Sequence, residues 1–137
     1  MHAPSNWQPK MRLPRTDDRS RRRTALRSGR IGEAIAGAYL RCKGYRILAR
    51  GFLVRGGEID LIVQRGTTIA FVEVKLRATI EEALIAIAPA KRRRMARAAH
   101  VFIARRGLDR VTLRADAIYL APWRWPRHVP AAFELEL

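Results

Sequence analysis

Apolar residues recur at helical spacing at Ile31, Ile35, Ala38 and Cys42, and Gly44 follows as a stop, which predicts a first helix over 30–43. Residues 45–54, 58–64 and 68–76 are rich in β-branched and aromatic residues and read as three strands, separated by turns at Arg55-Gly56-Gly57 and Gly66-Thr67. Residues 80–88 predict a short helical turn. Pro89 suits the first position of a second long helix that runs to about Arg106 and ends at Gly107. A fourth strand over 111–120 is reached across that helix and is therefore expected to be parallel to a neighbour. The order α-β-β-β-α-β predicts an α/β fold, a four-stranded mixed sheet flanked by helices. On either side lie segments without such a pattern. Residues 1–28, with Pro4, Pro9 and Pro14, read as a basic disordered arm, 29–122 as the domain, and 123–137 as a tail packing on or near the core.

Charges interrupt the two innermost strands. Asp60 stands among Ile59, Leu61, Ile62 and Val63, and Glu73 and Lys75 among Phe71, Val72, Val74 and Leu76. Apolar neighbours on both sides imply central strands, where a carboxylate is costly unless it is paired or bound to metal. Strand periodicity puts Glu73 and Lys75 on one face, and Glu58 and Asp60 on one face of their own strand. Pairing the two strands as a hairpin allows a register with Asp60 opposite or diagonal to Glu73. Two carboxylates that close repel, and one pKa rises, unless a divalent cation lies between them. Oxygen ligands without sulfur or imidazole suit Mg²⁺ or Mn²⁺.

Phosphodiester hydrolysis uses such a cluster. A cation polarises a non-bridging oxygen, and an ammonium group such as that of Lys75 orients the attacking water and offsets charge in the transition state. The alternative is an internal ion-pair network with no chemistry. Glu33 points away from the Ile31, Ile35, Ala38 and Cys42 stripe, onto the side of Ala36, Gly37 and Leu40. That side also reads as covered, which makes Glu33 a fourth candidate, against a solvated first-turn glutamate. Glu58, beside a turn, needs no chemistry to explain its charge.

The 137 residues suffice for one domain, and their net charge of +16 favours a polyanionic partner. Only Lys10, Lys43, Lys75 and Lys91 are lysines, so arginine carries most of that charge, and compositional bias weakens it as evidence of function. A lysine in the central strand stands out against that background. Lys91, Arg92, Arg93, Arg94 and Arg97 gather at the start of the second long helix, where cations oppose the helix dipole; phosphate binding and a solvated face are both open readings. Cys42 is the only cysteine, which excludes an intrachain disulfide and fits a cytoplasmic protein. His2, His100 and His128 lack zinc-ligand spacing. The run Ser20–Leu26 resembles a twin-arginine export signal, but Arg27, Arg30 and Glu33 interrupt the apolar stretch it needs, and no segment is apolar enough to span a membrane.

The strings GRIGEAIAGAYLRCKGYRIL, GGEIDLI, FVEVKLR, PAKRRRMARAA and RADAIYL, over about 29–120, together resemble the bacterial YraN family, placed with the restriction-endonuclease-like nucleases. The resemblance implies a PD-(D/E)xK core with a Mg²⁺ (or Mn²⁺) site. Asp60 matches the acidic residue of the second core strand, Glu73 and Lys75 the E-x-K, and Glu33 the first-helix glutamate of Holliday-junction resolvases. Arg77 and Lys91 match basic positions of the family pattern, expected at phosphate together with Arg92, Arg93, Arg94 and Arg50. The chain departs from the pattern at Gly51 and Leu53, where the family carries polar residues, and no proline precedes Asp60.

The resulting expectation is a metal-dependent endonuclease cutting DNA, with branched or single-stranded DNA as substrate classes and, by analogy with the resolvases, a homodimer. The alternative is a non-catalytic nucleic-acid-binding protein on the same fold. A basic ribosome-associated protein explains the charge but not the strand carboxylates.

Overall fold

The computed structural model describes residues 16–137, with side chains from residue 29. Its elements are α1 (Thr16–Cys42), β1 (Arg46–Val54), β2 (Gly57–Arg65), β3 (Thr68–Leu76), α2 (Ile80–Ala83), α3 (Pro89–Arg106), β4 (Thr112–Leu120) and β5 (Arg127–Phe133). Residues 1–15 of the expected arm lie outside the described residues. The first helix begins at Thr16 rather than near residue 30. Arginine, a good helix former, is the commonest residue of 16–28, and no proline follows Pro14 there.

The strands form one five-stranded sheet in the order β1-β2-β3-β4-β5, not the expected four. β1, β2 and β3 are an antiparallel meander, β3 and β4 run parallel as the intervening α3 predicts, and β5 returns antiparallel along β4. The fifth strand escaped the pattern because Pro130 breaks it and Ala131 has φ +50. Proline is tolerated in an edge strand, where its missing N–H faces no partner.

Helices cover both faces. Met95, Ala98, Ala99 and Phe102 of α3 pack on Ile59, Ile62, Ile69, Phe71 and Ala117. Phe102 meets Phe52 and Phe71 edge-on, with ring centroids 5.5 and 6.2 Å apart. On the opposite face, Ala36 and Leu40 of α1 pack on Tyr45, Leu61, Val63, Val72, Ile118 and Leu120. The stripe that first marked this helix does not face the sheet: Ile31 and Ile35 are 49% and 45% exposed, and Ala38 and Cys42 are exposed. The side shared by Ala36, Gly37 and Leu40 is the covered one. Small residues there let the helix lie close, so that a Cβ on Gly32 would already touch Val74 and Leu76 at 3.6 Å.

A buried polar network ties β5 to β4 and to the start of β1. Asp116, fully buried, accepts from Arg114 Nε and Nη2 at 2.7 and 2.9 Å, from the Ala131 amide at 3.0 Å and from His128 Nε2 at 2.8 Å. Arg114 also donates to the Tyr45 hydroxyl at 2.7 Å. Lys43 Nζ lies 2.6 Å from His128 Nδ1, and an ammonium can only donate, so Nδ1 accepts and Nε2 carries the hydrogen given to Asp116. Burial alone would raise the Asp116 pKa, but the hydrogen bonds from His128 and Arg114 outweigh it and hold the carboxyl below its ordinary value. No helix among the described residues is long and apolar enough to cross a membrane.

Candidate functional site

The β2–β3 pairing runs from Arg65 opposite Thr68 to Leu61 opposite Val72 and stops there, leaving 57–59 paired with β1 alone and Asp60 without a register partner on either side. Asp60 lies at this parting and closes it with a side chain: its Oδ2 accepts from the Val74 amide at 2.8 Å, standing in for the missing ladder partner. Glu73 lies on the other lip. Carried one residue beyond Leu61 opposite Val72, the register would set Asp60 level with Glu73, and the charge of Asp60 acts on the Glu73 carboxyl.

Gly57 sets the third wall. A Cβ there would lie 2.6 Å from the Arg94 carbonyl oxygen and 2.8 Å from the Ala98 nitrogen, so only glycine lets the start of β2 run against the α3 backbone. That contact delivers Glu58 to α3. Lys91 Nζ donates to Glu58 Oε1 at 2.8 Å and lies 3.4 Å from Glu73 Oε2, while Arg94 Nη2 lies 3.3 Å from Glu58. The Lys91–Glu73 approach is an ion pair but not a hydrogen bond. Glu73 Oε2 is buried without any hydrogen-bond partner among the described residues.

Burial, followed by the charge of Asp60, pushes the Glu73 pKa up to about 8, with Lys91 opposing. The hydrogen bond from Lys91 lowers Glu58. Burial would lower Lys91, but the bond to Glu58 and the charges of Glu73 and Asp60 outweigh it and raise its pKa. Glu33 is also raised, by burial first and then by Asp60, which places the first-helix glutamate within electrostatic reach of the pair. Gly51, with φ +53, turns the β1 backbone past Glu33: a Cβ there would lie 3.9 Å from Glu33 Oε2.

Asp60 and Glu73 thus meet, Glu33 stands nearby, and no three acidic, histidine or cysteine side chains among the described residues converge into a coordination set as they stand. Lys75 points elsewhere: its ammonium donates to the Ile85 carbonyl between α2 and α3. Burial and neighbouring Arg77 lower its pKa, with Glu73 opposing. The basic residues expected at phosphate divide. Lys91 and Arg94 are engaged by Glu58; Arg92 donates to the Ile87 carbonyl at 3.2 Å and lies over the Phe133 ring; Arg93 shares a groove with Glu134 and Glu136. Arg50 packs over Gly37 and its charge opposes the rise of Glu33, and Arg77 is exposed, donating to the Leu76 carbonyl at 2.8 Å.

Two participants were not legible as such. Glu58 belongs to the cluster, although a turn-flanking glutamate calls for no chemistry; its same-face spacing with Asp60 was the available signal. Lys91 reads from sequence as a phosphate contact, yet here it is the counter-charge of Glu58 and Glu73.

An orphaned, buried carboxylate oxygen beside a second carboxylate fits a hard divalent cation, which would replace the missing partner of Glu73. Residues 32–120 match the family described as uncharacterised protein family UPF0102. UPF0102 proteins of Methylocella silvestris, Methylorubrum extorquens and Methylorubrum populi are 54%, 55% and 56% identical to the chain. The similarity covers 87%, 90% and 89% of this chain and 97%, 97% and 98% of theirs. The matched span contains GGEIDLI, FVEVKLR and PAKRRRMARAA, the strings that bring Glu58, Asp60, Glu73 and Lys91 to this parting of the sheet, and the chain belongs to the UPF0102 (YraN) family.

Proposed function

We propose that the chain is a metal-dependent endonuclease that hydrolyses DNA phosphodiester bonds in the cytoplasm. The observation that carries this reading is Glu73 Oε2, buried beside Asp60 where β2 and β3 part, with no hydrogen-bond partner among the described residues and the Lys91 ammonium 3.4 Å away. Asp116 has its oxygens fully hydrogen-bonded; a buried oxygen with an ion pair but no hydrogen bond leaves room for a ligand. Asp60 and Glu73 would hold Mg²⁺ or Mn²⁺, with Glu33 at the rim. When bound, the ion supplies Lewis-acid polarisation of a phosphate oxygen.

The chain's own groups supply the rest. Asp60, fixed by the Val74 amide, keeps the cluster oriented on a core strand rather than on a loop. Lys75, with its pKa lowered, is suited to hold or pass a proton near the reacting phosphate once it leaves the Ile85 carbonyl. Lys91 neutralises the carboxylates, and were an ion held there instead, its ammonium would be available to a phosphate.

The test is incubation with Mg²⁺ or Mn²⁺ and linear, single-stranded and four-way-junction DNA. Cleavage that disappears in Glu73→Ala and Lys75→Ala supports the reading; no cleavage by wild type, or equal cleavage by the variants, refutes it. The Lys91 pairing favours a second reading, a non-catalytic nucleic-acid-binding protein in which an ammonium permanently replaces the ion. Manganese titration by calorimetry separates the two: a stoichiometric ion site that vanishes in Asp60→Ala belongs only to the first.

A further inference from the structure

The segment between β4 and β5 carries a feature the carboxylate cluster does not use. Trp123 is fully exposed and Trp125 is 88% exposed, the two most exposed large apolar side chains described. Indole rings are ordinarily among the more buried side chains, so two neighbouring rings held in water need a reason. Trp123 also takes φ +63, a left-handed backbone that is an outlier for a bulky side chain and is retained where something specific requires it. The segment is braced: Pro122 and Pro126 bracket it, and the Arg124 amide donates to the Ala121 carbonyl at 3.3 Å.

Charge selects the partner. Arg124 stands between the two tryptophans in the chain and Arg127 follows them, and no acidic residue occurs between Asp116 and Glu134. Asp116 is itself buried and fully bonded. Interleaved indoles and guanidinium groups match an unpaired nucleic-acid strand, whose bases offer π-faces and whose backbone offers phosphates. A duplex keeps its bases stacked on one another and offers only the phosphates.

Topology then puts these rings at the end of the sheet where the carboxylate cluster lies. β3 and β4 run parallel with Lys75 opposite Tyr119 and Leu76 opposite Leu120, and the Arg77 amide donates to the Leu120 carbonyl at 3.0 Å. The chain therefore leaves β4 for Trp123 beside the strand end that carries Glu73, Lys75 and Arg77. We propose that Trp123 and Trp125, with Arg124 and Arg127, are a stacking platform that holds an unpaired DNA strand next to the carboxylate cluster. The platform rests on the nuclease reading only for what happens to the strand afterwards; binding does not depend on it.

The experiment uses the full chain in EDTA, so that no metal chemistry enters. Binding of a labelled oligothymidylate and of a DNA duplex is followed by anisotropy, and indole quenching by fluorescence. Trp123→Gly, which accepts the left-handed backbone, Trp125→Ala, their double variant and a double Trp→Phe variant are compared. The expected result is about tenfold weaker oligothymidylate binding per ring removed, duplex binding changed less than about twofold, loss of quenching in the double variant, and retention of most oligothymidylate binding in the Phe variant. Equal losses on both DNAs, or none, overturn the platform. So does a blue shift with anionic vesicles that is lost in the double variant while oligothymidylate binding is unchanged, which would identify a membrane contact instead. A protein that cuts no DNA yet shows the Trp-dependent preference keeps the platform and loses the nuclease reading; cleavage of single strands that ignores both tryptophans does the reverse.

Discussion

Two buried carboxylates stand on neighbouring parallel strands and have opposite fates. Asp116 on β4 accepts four hydrogen bonds, two of them from one guanidinium, and its pKa is lowered. Glu73 on β3 is nearly as buried, has an oxygen with no hydrogen-bond partner, faces Asp60, and is raised to about 8. Burial is common to both; partners make the difference. A satisfied carboxylate can act as a structural tie, whereas an unsatisfied one keeps a free-energy cost that a ligand can remove.

The largest expected effect lies on the satisfied side. Asp116→Ala leaves Arg114 and His128 without their acceptor and should cost about 3–5 kcal/mol in urea unfolding, with the loss centred on β5 in hydrogen exchange. An effect below about 1 kcal/mol would remove Asp116 from its place as the structural member of the pair.

The pH dependence separates the two carboxylates further. Glu73 favours its protonated form on folding, so its contribution is full below the ordinary pH 4.5 and is lost as pH rises through about 8. Metal-free wild type should weaken over that window by a few kcal/mol, and Glu73→Gln should flatten the slope, measured as denaturation midpoints against pH. Asp116 has the opposite sign: its contribution is present above its ordinary value near 3.8 and is lost as pH falls through its lowered pKa, so Asp116→Asn should remove part of the acid transition.

Lys91→Met tests whether the ammonium substitutes for a cation. Removing it leaves Glu73 uncompensated and Glu58 with Arg94 alone, and should cost about 1–3 kcal/mol without metal. Added Mn²⁺ should then raise the melting temperature more than it does in wild type. Equal Mn²⁺ responses would mean that Lys91 and the ion do not compete. The smallest effect is expected for Glu58→Gln, below about 1 kcal/mol, because its side chain is 36% exposed and water screens the pair.

Much of the sheet was legible because strand signals are local. The limits of β3 and α3, the parallel β3–β4 pairing and the approach of Asp60 to Glu73 follow from β-branched runs, Pro89, Gly107 and a period of two. The face of α1 was not, since Ile31-Ile35 and Ala36-Leu40 both make apolar stripes, and only the close approach allowed by Gly32 selects the smaller one. Nor was β5, whose Pro130 and left-handed Ala131 are tolerated because the strand lies at the edge and is held by Asp116 from β4.

The sequence by itself determined which charges are out of place in the core strands, because a charge between apolar neighbours in a strand is costly wherever that strand lies. Only the tertiary structure decided how those charges are balanced. Whether Glu73 lacks a hydrogen-bond partner, Lys91 pairs with Glu58 and Glu73, and Lys75 turns to the Ile85 carbonyl depends on Gly57 admitting the α3 backbone and on β2 parting from β3. Those contacts join residues distant along the chain, and electrostatic energy depends on distances through space, which local patterning does not encode.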